Sequence, residues 1–142
     1  MNKKELFRIM SKSRREQVID LAKKIEQKHP VIIVKKPAKT LVMLKMKDPV
    51  AKAEFYLGEL LACEAMVKVH NQKGMAVTAG DDFEKVLAMS IVDAAYNANV
   101  EEVSWINEQL NDMEKEVRVQ DRKEFGRHMK SKVQFRIMEE QS

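Results

Sequence analysis

The sequence predicts an α+β fold: N-terminal helices, an antiparallel β-sheet with a hairpin, two C-terminal helices and an extended tail. Three observations predict it. Residues 31–79 carry β-branched and alternating runs, and both flanks carry apolar residues at helical spacing. A turn signal, Asn71-Gln72-Lys73-Gly74, joins two of the alternating runs. The 142 residues are 44% apolar and 34% charged, which suits one globular domain. Within that single domain, residues 1–29 read as helical, 31–79 mainly as sheet, 81–125 as helical and 131–138 as an extended tail.

Helical pattern runs over residues 3–28. Ser13-Arg14-Arg15-Glu16 has the spacing of a capping box, so a break is expected near Ser11–Ser13. Val18, Ile19, Leu21, Ala22 and Ile25 then form one apolar stripe, and Pro30 ends the helix. Val31 to Val34 is a β-branched run bounded by Pro30 and Pro37, which predicts a strand. Thr40 to Met46 predicts a second strand. Its two sides, Leu41, Met43 and Lys45 against Val42, Leu44 and Met46, are both partly apolar, as in a strand covered on two faces. Pro49 to Lys52 reads as a loop.

Phe55-Tyr56-Leu57 leads into Gly58-Glu59, and alternation predicts a strand at least from Cys63 to Val69. Gly74 is available for positive φ in the turn, and Met75 to Thr78 is the return strand. Asp81 or Asp82 can cap the next helix, where acidic side chains suit the helix dipole. Phe83, Val86, Leu87, Ser90, Ile91, Ala94 and Ala95 step along that helix, which ends around Asn97–Asn99. Its small residues permit close packing. A last helix starts about Val100. Val103, Ile106, Leu110, Met113 and Val117 form its seam, expected to pack within the domain rather than as a dimeric coiled coil. In the tail, Val133, Phe135 and Ile137 alternate with polar residues, as in an added strand or a segment lying on a partner.

Charge is unevenly placed. Residues 1–47 carry 14 Lys/Arg against 4 Asp/Glu; residues 48–116 carry 5 against 14; residues 117–142 carry 7 against 4. This asymmetry favours assembly of complementary surfaces or an anionic ligand at the basic end. Ten Met residues suit irregular cores and adaptable interfaces. No apolar run has the length of a membrane span, and the N-terminus lacks the apolar stretch of a signal peptide. A single cysteine, Cys63, excludes an intramolecular disulfide and a Cys-based zinc site, so a cytoplasmic setting is expected.

Chemistry-bearing groups are sparse. There is no Gly-x-Ser-x-Gly and no phosphate-cradling glycine loop. His29, His70 and His128 are dispersed, so no metal site is expected. Asp81, Asp82, Glu84 and Asp93 are the one tight carboxylate group. Asp93 follows Asp82 by eleven residues, roughly 16 Å along a helix, too far for a general acid–base pair. Asp93 falls beside the apolar stripe, where it can bond a neighbouring backbone or a partner chain. Arg8, Lys12, Arg14 and Arg15 cluster and can meet phosphate, but Phe7 is the one aromatic nearby, which disfavours nucleic acid.

The middle segment adds more. Phe55-Tyr56-Leu57-Gly58-Glu59-Leu60, the Cys63–Val69 and Gly74–Ala79 strands, Gly80-Asp81-Asp82 and Ile91-Val92-Asp93-Ala94-Ala95 together resemble the PhnG family. Met10-Ser11 with Ala22 and Ile25, and the tail Lys132 to Met138, fit the same pattern. The sequence departs from it at Asp81, where an Arg is usual, at Leu87, where a Glu is common, and at Arg136, where a second Phe is usual. The resemblance implies the G subunit of the bacterial carbon–phosphorus lyase system. Such subunits join H, I, J and K subunits in a soluble core complex. They support attack of a phosphonate on the ribose C1′ of ATP, with release of adenine, beside an I subunit that holds the nucleosidase chemistry. An ATPase-like L subunit assists, and the J subunit later cleaves the C–P bond at an iron–sulfur cluster.

The implied role is a structural partner of the I subunit, with no cofactor bound by this chain alone and ATP as substrate of the complex. Glu59, Asp82, Asp93, Val133, Phe135 and Ile137 are the candidate partner-binding or ligand-positioning residues. The isolated chain is expected to form homo-oligomers. A second reading, from another class, is a homodimeric regulatory or nucleic-acid-binding module paired through the 103–117 seam.

Overall fold

The computed structural model describes residues 2–47 and 54–127. Their order is α1 (Lys3–Lys12), α2 (Arg15–Lys28), β1 (Val31–Lys47), β2 (Glu54–Val69), β3 (Gln72–Ala79), α3 (Phe83–Ala98) and α4 (Val103–Arg127). The strands form one antiparallel sheet in the order β1-β2-β3. The predicted α+β layout is therefore present. The tail, with Val133, Phe135 and Ile137, and the Pro49–Lys52 loop lie outside the described residues.

Layering follows from which residues are apolar. Ala65, Val67, Val69 and Ala76 are buried on the sheet face that meets α3. Nine residues of α3 are buried, so this helix is covered nearly all round. The Val18, Leu21, Ala22 and Ile25 stripe of α2 is buried, and α2 packs on α3. Leu6, Ile9 and Met10 of α1 join the same core as Ile106, Leu110 and Met113 of α4. The α4 seam is therefore buried inside its own chain. That removes it as a homodimer interface and agrees with its expected packing within the domain. The helix begins at Val103, three residues later than the spacing suggests, after the left-handed cap at Asn99.

Three local expectations need correction. The break between α1 and α2 is present, but Ser13 does not open a capping box. Its hydroxyl donates back to the Ile9 carbonyl at 2.6 Å, closing α1, while Arg14 holds the N-cap position of α2 without a side-chain bond. Pro37 does not separate two strands. β1 runs through it, because β1 is an edge strand and a missing N–H there costs no ladder bond; the register shifts on either side of Lys35 absorb the misfit. β2, Glu54–Val69, contains the strand predicted at least from Cys63 to Val69 and extends it toward the N-terminus. The hairpin turns at His70-Asn71, both at positive φ, with Val69 opposite Gln72.

Gly74 has another purpose. It lies inside β3 under α3, and a Cβ there would sit 2.2 Å from the Ala94 amide nitrogen and 2.3 Å from the Ser90 carbonyl. Small Ser90 and Ala94 thus meet a glycine, and strand and helix backbones approach directly.

Candidate functional site

Asp82 holds a junction. It caps α3 by accepting from the Lys85 amide at 3.2 Å. It also accepts from Arg15 Nε at 2.9 Å and from Arg15 Nη2 at 3.3 Å, and Arg15 reaches Glu84 as well. The Arg15 hydrogen bond holds the Asp82 carboxyl below its usual range, and burial opposes it only in part. Beside it, the Lys85 ammonium donates to the Ser11 and Ser13 carbonyls at 2.8 and 3.0 Å, and burial lowers its pKa. The α1–α2 break is therefore pinned to the start of α3. Cys63 is buried beneath it, with Sγ 3.8 Å from the Asp82 carbonyl; burial first, then the Asp82 and Asp81 charges, push the thiol up, away from the reactive thiolate.

Asp93 is buried and bonds neighbouring backbone, one of its two expected uses. Its Oδ2 accepts from the Met75 amide at 3.0 Å, and its Oδ1 pairs with Lys3. Asn97 donates to the Lys73 carbonyl one turn on. The outer edge of β3 is thus stitched to α3, and β1 is left as the sheet's other edge. Asp82 and Asp93 sit on opposite stretches of α3 and do not converge.

The basic cluster is paired within the chain. Arg8 meets Glu114, Arg14 meets Glu116, and Arg15 meets Asp82 and Glu84. These pairs tie the N-terminal helices to the start of α3 and to the acidic stretch of α4 around Glu114 and Glu116.

Sequence distance hid one grouping. His29 Nε2 lies 2.6 Å from Glu102 Oε2, and His29 Nδ1 lies 2.8 Å from His70 Nε2, with the rings edge to face. A neutral His29 accepting from His70, or a charged His29 donating to it, satisfies both contacts; two charged rings cannot. The His29 bond holds the Glu102 carboxyl below its usual range. The group borders an open concavity of about 520 Å³ with Lys28 and Asn99. The signal was the strand pairing: Val31 opposite Val69 places the residues flanking those strand ends side by side. Among the described residues no group of three or more His, Cys, Asp or Glu side chains is placed to hold a metal ion.

Glu59 is exposed in β2 opposite Met43 and makes no hydrogen bond or ion pair among the described residues. It belongs to a distinct feature. Beyond Thr40 and Ala62 the described residues of the sheet form two strands: Leu41–Lys47 paired with Glu54–Leu61. Here Leu41 (60%), Met43 (55%), Leu61 (48%) and Leu60 (39%) are exposed. Among the described residues no helix covers both faces of this extension, so the expected cover is not supplied by them. On the body of the sheet, Ile32, Met75 and Val77 are exposed too. No described helix is long and apolar enough to cross a membrane.

A search of curated proteins finds no match to the chain. A family model described as phosphonate metabolism protein PhnG matches residues 1–139, nearly the whole length. The Gly58-Glu59 ribbon, the Asp82 cap and the α3 segment around Asp93 all fall within that match, and the chain belongs to the PhnG family of phosphonate-metabolism proteins.

Proposed function

We propose that the chain is the G-type structural subunit of a carbon–phosphorus lyase complex, with the I subunit as its principal partner and H, J and K subunits in the same assembly. In that role it supports transfer of a phosphonate onto the ribose C1′ of ATP with release of adenine. It binds no cofactor by itself, and ATP is a substrate of the complex in the cytoplasm. One observation carries the reading: the two-stranded ribbon exposes large apolar side chains that no described element of the chain covers. The conspicuous polar residues have internal work: Asp82 caps and clamps, and Asp93 holds a strand edge.

Co-expression with the I subunit of the same genome tests this. Co-elution on size exclusion, and adenine release from ATP plus methylphosphonate only when this chain is present, are the expected results. An I subunit that is soluble and active without it would overturn the proposal.

A further inference from the structure

We infer that His29, His70 and Glu102 form an acid-released latch. It fastens the β2–β3 turn to the rest of the chain while at most one ring is charged, and it lets go when both are. The latch does not depend on the role proposed above.

Placement makes the group a latch. His29 is the C-cap of α2, just before β1. His70 lies in the β2–β3 turn. Glu102 lies between α3 and α4, and its carbonyl accepts from the Ile106 amide at 2.8 Å in the first turn of α4. Three connections far apart in sequence thus meet at one end of the sheet, where Val31 pairs with Val69. One chain of contacts spans them: Glu102 Oε2 to His29 Nε2 at 2.6 Å, then His29 Nδ1 to His70 Nε2 at 2.8 Å. The His29 and Glu102 side chains are 15% and 17% exposed, so they are the fixed half. His70 is exposed and is the half that can swing away.

Proton counting sets the switch. An ionised Glu102 accepts, so His29 Nε2 carries the hydrogen. His29 Nδ1 then accepts from a neutral His70 or, once protonated, donates to it. The chain of contacts therefore takes up one proton intact. A second proton sets N–H against N–H, and the His70 contact breaks. Nearby charge does not offset that second proton. On α2, Lys24 and Lys28 share a cavity wall with Glu102, and Lys28 Nζ lies 3.7 Å from its Oε1. Glu101 lines the concavity beside both rings. Lys68 and Lys73 oppose each other next to the turn. Among the described residues no carboxylate bonds or pairs with His70. The His29 bond holds the Glu102 carboxyl below its usual range, so Glu102 stays ionised where imidazoles titrate, about pH 5 to 8. Within the latch, only the rings change charge there.

The test is amide hydrogen exchange of the full chain at about pH 7.5 and about pH 5, corrected for intrinsic rates, with side-chain nitrogen-15 spectra reporting the charge of each ring. In the parent, protection across Val69–Lys73 should fall about tenfold as the second ring becomes charged, while α3 stays as it was. His70→Asn keeps a residue type that tolerates the left-handed backbone, φ 48° here. It should exchange at neutral pH as the parent does in acid, with no pH response of its own. Glu102→Gln keeps an acceptor for His29 but removes the charge that favours its protonation, and should move the release to lower pH; it decides the matter if His70→Asn unsettles the turn. Protection that survives with both rings charged overturns the inference. So does protection lost with the first proton, or an undiminished pH response in His70→Asn.

Discussion

At one end of the sheet, β1 and β2 lie beside β3 and under α3; at the other, no further described strand or helix joins the same two strands. The covered end is closed by backbone contact and buried polar locks. Apolar side chains are exposed at both ends: Ile32, Met75 and Val77 on the sheet face away from α3, and Leu41, Met43, Leu60 and Leu61 where no described helix backs the strands. Such a difference in backing along one pair of strands separates what holds the chain together from what it offers to others. It also makes opposite forecasts for similar substitutions at the two ends.

Glycine gives the largest contrast. Gly74→Ala forces a methyl into the α3 backbone and should cost at least about 3 kcal/mol, read as loss of the folded state in urea titration. Gly58→Ala meets no atom within 4 Å and carries only the strain of its φ, about 1 kcal/mol. Equal effects would erase the contrast. Next comes Asp93→Ala, which strands the Met75 amide at the β3 edge and frees Lys3; the expected loss is about 2–3 kcal/mol in the same titration.

Asp82→Asn is smaller: asparagine can still cap α3, so the change removes the charge that pairs with Arg15, worth up to about 1 kcal/mol, and its effect depends on pH. The carboxyl titrates below its ordinary value when folded, so its stabilisation is present above about pH 4 and is lost as pH falls through the folded value. The stability gap between parent and Asp82→Asn should therefore be widest near neutrality and close in acid. A gap that widened in acid would contradict the Arg15 pairing. Smallest is Leu41→Glu, within about 0.5 kcal/mol of the parent in thermal melts, because its side chain already faces solvent.

Local periodicity carried most of the helical layer. The α2 stripe, the Asp82 cap and the α4 seam were legible because each is a repeat or a cap within a few residues. Pro37 misled, since its effect depends on β1 being an edge strand, which no local pattern states. Gly74 misled likewise: a glycine beside a turn signal suggests positive φ, whereas its cause is an α3 backbone twenty residues away. The candidate residues divide the same way. Asp82 was readable as a cap, but its Arg15 partner lies 67 positions away. The His29–His70–Glu102 group needed the register of β1 on β2 before its members became neighbours. The ribbon's apolar alternation was visible, yet its lack of cover among the described residues follows from α3 beginning beside Cys63 and running toward the hairpin turn.

Hydrogen exchange of the isolated chain and of its complex with the I subunit tests the central claim most directly. In the isolated chain, Leu41–Lys47 and Glu54–Leu61 should exchange much faster than Ala62–Val69 and β3. In the complex, those two ribbon segments should become protected while the α3-backed end stays as it was. Slow exchange of the ribbon in the isolated chain, or an unchanged ribbon in a formed complex, would contradict the account.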